Sequence, residues 1–295
     1  MQEFKKYHPI VNFIYFVFVF GFSCVFLHPV SLIISIVCAF IYSVVISGIK
    51  AVRFALYAVL PLMVISAVLN PAFNHQGITI LGYFPSGNPF TAESVAAGLA
   101  TALMLGSVIL WFSCYNAIMT SDKFVYLFGK IIPSLSLVLS MVLRFVPKFK
   151  AQIKEIVAGQ RGIGMDVSTG TVWKRAKNGM KIISIMVSWS MENAIDTADS
   201  MKNRGYGLPG RTSFSNFRFS GRDRTLLGII MGLGIYVLAG ALLGAQDYQY
   251  FPCMKGVGLS FGSVSVFVAY FLLCITPVIV EIKEERKWKL LRSKI

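Results

Sequence analysis

The sequence predicts an all-α polytopic membrane protein: about six transmembrane helices, with a long cytoplasmic insert of amphipathic helices between spans four and five. Three observations carry this. Apolar residues make up 56% of the 295 and charged residues only 14%, whereas soluble domains carry about 25% charged residues. Uncharged apolar runs recur at lengths that match the hydrocarbon thickness of a bilayer. The 28 Lys and Arg outnumber the 13 Asp and Glu, a formal charge of +15, and they gather on alternate connecting segments. With 24 Phe, 12 Tyr and 4 Trp, the chain holds more apolar surface than a soluble or disordered protein leaves in water. Lipid is its solvent.

The spans follow in order. Between Lys6 and Lys50 there is no charge, which is room for two helices, with His28-Pro29 as the turn between them. Phe54 to Leu69 is a third span if Lys50 and Arg53 snorkel to the interface. Asn70 to Pro89, rich in Pro, Gly and Asn, reads as a loop. Ser94 to Met119 is the fourth span, Thr225 to Gln246 the fifth and Gly256 to Val280 the sixth. The expected organisation is an N-terminal membrane domain (1–119), the insert (120–224), and a C-terminal membrane domain with a basic tail (225–295). An uncleaved first span is expected rather than a signal peptide, since no small-x-small cleavage site follows it.

Orientation comes from the charges. Of 28 basic residues, 27 fall on segments that six spans place on one face, 17 of them between Thr120 and Arg224, and Lys255 stands alone opposite. The positive-inside rule makes that face, and both termini, cytoplasmic.

The insert is too long for a loop. Thr120-Ser121-Asp122 has helix N-cap chemistry. Ile131 to Val146 is nearly charge-free and bracketed by Pro133 and Pro147, so it reads as a helix at the membrane boundary, with a re-entrant or seventh spanning helix as alternatives. A charged amphipathic helix from Lys150 ends at Gly159 to Gly164. A second, from about Thr171 to Arg204, carries Val187, Met191, Ala194, Ile195, Ala198 and Met201 on one face and Glu192, Asp196, Asp199 and Asn203 on a polar stripe. Each helix ends with an Arg and a Gly close together. Capping alone accounts for such an end; two of them on a membrane protein point to docking.

Several chemistries are excluded. There is no H-E-x-x-H and no G-x-x-x-x-G-K-[ST]. Gly205 to Gly210 matches G-x-G-x-x-G, but a helix precedes it rather than a strand. The five cysteines contain no C-x-x-C. No ionisable residue sits deep within a span, which disfavours self-powered ion- or proton-coupled transport. The basic insert, with 17 cations against 7 carboxylates, has its cations spread beside apolar faces, as contact with anionic lipid requires, and nucleic acid is not expected.

Three segments carry a family resemblance. Ser190 to Tyr206 (SMENAIDTADSMKNRGY) is similar to a long helix ending in Ala-Arg-Gly-Tyr, Leu143-Arg-Phe-Val-Pro147 to an Arg-Phe-Ile/Val-Pro element, and Asn70 to Gly77 to an external loop. Together they resemble the transmembrane T component of energy-coupling factor transporters, the ABC-type importers of vitamins and transition metal ions in prokaryotes. The resemblance covers about residues 55 to 210. It implies a non-catalytic coupling subunit in a prokaryotic cell membrane that itself binds no cofactor, with ATP and Mg bound by two cytoplasmic ABC ATPase partners and a third, small membrane subunit binding the substrate. It implies that Asn203, Arg204 and Gly205 meet one ATPase and that Arg161, Gly162 and Gly164 meet the other. Leu135, Leu139, Val142, Arg144 and Phe145 are then expected to face the substrate-binding subunit. The family's Ala-Arg-Gly motif occurs twice, and here Ile163 stands where the first Arg is expected, with Arg161 two residues earlier: either Arg161 substitutes from a shifted position or only one end carries a strong charge contact. A self-sufficient membrane transporter or intramembrane enzyme with a basic regulatory insert is the alternative.

Overall fold

The structure is a computed structural model describing residues 3–83, 89–129, 133–206, 208, 217–256, 258 and 260–292. It forms two compact units, one of residues 1–123 with 217–295 and one of residues 124–216.

The first unit is a helical membrane bundle. Helix α1 (Pro9–Val25) and α2 (Pro29–Ser47) each open on a proline, the residue whose missing N–H costs nothing at a helix start, and each is capped by the preceding histidine. His8 Nδ1 accepts from the Ile10 N–H, and His28 Nδ1 from the Val30 N–H, both at 3.3 Å. Gly48, at φ +58, ends α2. The next span runs as α3 (Ile49–Phe54), a π-turn at Ala55–Val59, and α4 (Leu60–Phe73). The π-turn directly precedes Pro61, which can neither donate to Tyr57 nor tolerate the regular α-helical carbonyl there. Helix α5 (Ala92–Ile118), α9 (Gly221–Leu242) and α10 (Phe261–Arg292) complete the bundle. Among the described residues five spans, Pro29–Ser47, Ile49–Phe73, Ala92–Ile118, Gly221–Leu242 and Phe261–Lys287, are long and apolar enough to cross a membrane. The first helix is apolar but has 17 residues, the lower limit for a span.

The third span therefore begins at Ile49 rather than Phe54 and runs to Phe73 rather than Leu69. The loop expected from Asn70 is helical for its first residues and then forms a hairpin, β1 (Ile80–Tyr83) with β2 (Pro89–Thr91). Glu93 latches this hairpin: its carboxylate accepts from the Thr79 N–H at 3.1 Å and the Thr79 hydroxyl at 2.8 Å. Gly77 passes so close that a Cβ there would lie 2.6 Å from Glu93 Oε2. A second hairpin, β3 (Tyr248–Gln249) with β4 (Lys255–Gly256), follows α9. Beside it Tyr250 donates to the Leu27 carbonyl at 2.8 Å, and Ser31 donates to Gln246 at 2.9 Å.

Packing in lipid cannot rely on the hydrophobic effect between helices, so close approach and polar contacts matter more. Helix α4 packs on α5 at Gly98 and Gly106, where a Cβ would lie 2.7 Å from the Ala67 carbonyl and 2.5 Å from Met63 Sδ. Around the fully buried Trp111, Tyr15, Tyr42 and Tyr270, hydrogen bonds tie four helices together. Trp111 donates to Ser35 at 3.2 Å, Ser35 meets Ser23 at 2.8 Å, Ser23 meets Tyr270 at 3.3 Å, and Tyr15 donates to the Cys274 carbonyl at 3.0 Å.

The N-terminal segment closes one end of the bundle. Glu281 of α10 accepts from the Glu3 N–H at 3.0 Å and the Phe4 N–H at 3.1 Å, satisfying the start of a 3-10 turn at Phe4–Lys6. Asp223 of α9 accepts from the His8 N–H at 3.0 Å, and Asp223 with Ser220 also forms the capping box of α9. Lys123, in α6 (Ser121–Gly129), donates to the carbonyls of Lys5 and Tyr7. With its amide oxygen turned to Lys123, Asn12 accepts from that ammonium at 2.7 Å and donates to the Phe4 carbonyl at 3.2 Å. Phe4 is fully buried against Tyr15, ring centroids 5.4 Å apart.

Among the described residues the second unit holds the end of α6 and two long helices. Helix α7 spans Pro133–Gly162 and α8 spans Val172–Asn203. The expectation of Pro147 as a bracket is corrected: α7 runs through it, so the apolar stretch and the charged helix after Lys150 are one element. Pro147 lacks a donor for the Leu143 carbonyl but does not interrupt the helix. Ile131, the start of the expected stretch, lies outside the described residues.

Two predictions follow from the N-terminal closure. Replacing Glu281 with Gln leaves two backbone N–H groups without a charged acceptor and is expected to lower stability by about 1.5–3 kcal/mol, read as a lower thermal unfolding midpoint of the purified chain in detergent. Burial, with a smaller push from Lys5, lowers the Lys123 ammonium from 10.5 to about 8. Between those values the unfolded chain holds more protons than the folded one, so stability is expected to rise with pH across that window. The Lys123→Met variant, melted in parallel at pH values on either side of it, is expected to lack that rise.

Candidate coupling site at two helix ends

The two helix termini of the second unit share one backbone solution. At the end of α7 the Met165 N–H donates to the Gln160 carbonyl at 2.9 Å and the Gly164 N–H to the Arg161 carbonyl at 3.0 Å, with Gly164 at φ +79. At the end of α8 the Tyr206 N–H donates to the Met201 carbonyl at 3.0 Å and the Gly205 N–H to the Lys202 carbonyl at 3.0 Å, with Gly205 at φ +76. Both are Schellman motifs, in which the glycine supplies the left-handed residue and the last carbonyls find donors. The hydrogen bonds make positions equivalent: Gly164 matches Gly205, Ile163 matches Arg204, Gly162 matches Asn203, and Arg161 matches Lys202.

That equivalence decides what each end presents. Arg204 is the C-cap of α8, exposed, and among the described residues its guanidinium has no partner. At the end of α7 the equivalent side chain is Ile163, 64% exposed. Arg161 lies two residues earlier and is engaged: its Nε donates to Asp166 Oδ2 at 3.1 Å and an Nη to the Ser168 hydroxyl at 3.4 Å. Asp166 organises this connection, accepting also from the Ser168 N–H at 3.0 Å and hydroxyl at 2.7 Å. Those two Ser168 bonds, more than Arg161, hold its carboxyl down at about 2. Arg175 and Asn178 of α8 close the turn by donating to the carbonyls of Val167 and Asp166.

The helices meet far from their ends. Phe149 packs edge-on against Trp189 with centroids 5.6 Å apart, Lys148 lies 5.3 Å over the same ring, and Lys148 donates to Asn193. At 1.5 Å per residue each C-terminal end lies about 20 Å along its helix from this meeting point. The faces beyond it are unpartnered: Val187, Met191 and Ile195 of α8 are 51–64% exposed.

The residues expected to face a membrane partner are divided. Leu135 lies in the first turn of α7, with its side chain outside the described residues. Leu139 and Phe145 are half-buried, and Phe145 stacks on Phe149 at 5.9 Å, toward the helix junction. Val142 and Arg144 are exposed. The exposed apolar line is Val138, Val142 and Val146; its four-residue spacing is visible in the sequence, and Val138 and Val146 were not among the expected residues. Gly207, Pro209 and Gly210 of the G-x-G-x-x-G match lie outside the described residues. Among the described residues no three His, Cys, Asp or Glu side chains gather as a metal site.

No family model matches the chain. Curated relatives do. An energy-coupling factor transporter transmembrane protein of Bacillus selenitireducens is 31% identical over 111 residues, 37% of this chain and 41% of the relative. One of Lactobacillus helveticus is 34% identical over 113 residues, 38% of this chain and 39% of the relative. This chain is similar to energy-coupling factor transporter transmembrane proteins. One of Acidaminococcus fermentans extends the match to 159 residues at 29% identity, half of this chain and 59% of the relative. The chain spans about two fifths of the length of the first of these energy-coupling factor relatives.

The Asp166 turn is testable by pH. Its folded carboxyl titrates below the unfolded value of about 3.9, so its contribution is complete above that value and is lost as pH falls toward 2. Protection of amides 165–168, taken relative to the intrinsic exchange rate at each pH, is expected to hold down to about pH 4 and to fall below it. The Asp166→Asn variant is expected to show the reduced protection at every pH.

Proposed function

We propose that this chain is the transmembrane coupling subunit of an ATP-driven importer of the energy-coupling factor type, and that it carries no catalytic group of its own. One observation carries the reading: two long helices end in the same Schellman geometry, and the terminus of α8 holds out an arginine with no partner among the described residues. An exposed guanidinium at a helix C-cap is a ready donor of charge-assisted, bidentate hydrogen bonds to a carboxylate, a role lysine cannot reproduce.

On this reading two cytoplasmic ATPase subunits, which bind the ATP and Mg, each receive one helix end. Asn203, Arg204 and Gly205 enter one groove, with Arg204 meeting acidic groups. Gly162, Ile163 and Gly164 enter the other, where the contact is apolar and Arg161 holds the turn in shape through Asp166. Closure of the ATPases moves the two ends, and the Phe149–Trp189 junction converts that into a change of the angle between α7 and α8. Their exposed apolar faces, Val138, Val142 and Val146 on one and Val187, Met191 and Ile195 on the other, pass the movement to a small substrate-binding membrane subunit for a vitamin or a metal ion. The side bearing the termini is cytoplasmic, in line with the bias of basic residues.

The test is Arg204→Ala in the assembled transporter. The variant is expected to insert and fold normally but to lower ATPase association or uptake at least tenfold, about 1.4 kcal/mol. Undiminished association and uptake would overturn the role of Arg204, and uptake by the purified chain without ATPases would overturn the class.

A further inference from the structure

Within the membrane unit, the first turn of α9 and the last turns of α10 border an open groove of about 730 Å³. Four cations line it: Arg222 from α9 and Lys283, Arg286 and Lys287 from α10. Glu284 is the one carboxylate among the lining residues. None of the four cations forms an ion pair among the described residues, where Lys6–Glu3 and Arg161–Asp166 are the pairs present. Ile279 and Ile282, 49% and 46% exposed, form the apolar wall before the cations, and Leu290, 65% exposed, completes the lining beyond them.

The arrangement along α10 is ordered. Ile279 belongs to the apolar stretch of the helix, and the first charge after Phe261 is Glu281. The cations follow over the next two turns, so aliphatic and cationic walls succeed each other over about 12 Å, the depth at which hydrocarbon gives way to headgroups. Arg222 joins them from the start of α9, and its side chain leans toward that helix's N-terminus and thus away from the hydrocarbon. A soluble anion would neutralise the cations and leave the isoleucines in water. An acidic polypeptide would do the same. A molecule with a phosphate at one end and acyl chains at the other satisfies both walls.

We propose that this groove binds an anionic phospholipid, with the phosphate held by Arg222, Lys283, Arg286 and Lys287 and the upper acyl chains against Ile279 and Ile282. The site is separate from the helix ends discussed above and does not depend on the coupling function. Glu284 tempers its affinity.

The full chain, purified in mild detergent doped with phosphatidylglycerol or phosphatidylcholine, is examined by native mass spectrometry for retained lipid. Phosphatidylglycerol is expected to be retained and not displaced by phosphatidylcholine. Arg222→Gln combined with Lys283→Gln, Arg286→Gln and Lys287→Gln is expected to weaken retention at least about tenfold. Neutralising Lys255, an exposed cation outside the groove and outside the insert, to Gln leaves it unchanged. Glu284→Gln is expected to strengthen retention, a gain that misfolding cannot produce. Equal retention of phosphatidylcholine, undiminished retention by the four-site groove variant, or displacement of the lipid by inorganic phosphate or by an acidic peptide would overturn the proposal.

Discussion

The membrane unit depends on a short peptide segment that three helices compete to hold. Residues 3 to 8 carry backbone N–H and C=O groups that no regular element satisfies, and the bundle supplies their partners from far along the chain: Glu281, Asp223 and Lys123. Each of these side chains is more than nine-tenths buried, and a buried charge is tolerated only when it is bonded. The constraint therefore runs both ways. The carboxylates and the ammonium need the segment as much as the segment needs them, and α1, α9, α10 and the start of α6 are fixed to one another at this end of the bundle.

Above that tie the helices are held by weaker devices. Interhelical hydrogen bonds in membranes average about 0.6 kcal/mol, so the Trp111, Ser35, Ser23, Tyr270 chain specifies register more than it stabilises. Glycines 98 and 106 allow α4 to approach α5, yet only 6% of the apolar window of Ile49–Phe73 is buried. The second unit is looser still by construction: two helices of 30 and 32 residues joined by an Asp166-centred turn and one aromatic junction, with their apolar faces exposed. In the proposed coupling role the two long helices would act as rigid arms, and their junction at Phe149, Trp189, Lys148 and Asn193 as the joint between them.

Much of this was legible in the sequence because it rests on local rules. Uncharged runs mark the spans, and the amphipathic pattern from about Thr171 to Arg204 marks α8, whose N-cap and C-cap the structure places at those two residues. The structure departs from the sequence pattern where a tertiary contact overrides a local rule. Pro147 marks a boundary by local rules, but a proline costs a helix one donor and a steric adjustment, and the helix passes through it. Asn70 marks the start of a loop by composition, yet Pro71 sits in α4, which packs beside α5. The N-terminal closure was not legible at all, since Glu281 lies 278 residues from the N–H it binds. Nor was the equivalence of Ile163 with Arg204 certain from spacing; only the hydrogen bonds of the two Schellman turns fix which residues correspond, and they show Arg161 engaged with its own turn.

The account turns on whether this chain works as one part of a larger ATP-driven assembly. The most direct measurement is isolation of the full chain from its native membrane in mild detergent, with the co-purifying subunits counted by mass. Two ATPase subunits per chain, together with a small membrane protein, is the composition the account predicts. Recovery of the chain with neither ATPase, in a preparation that retains uptake on reconstitution, would contradict it.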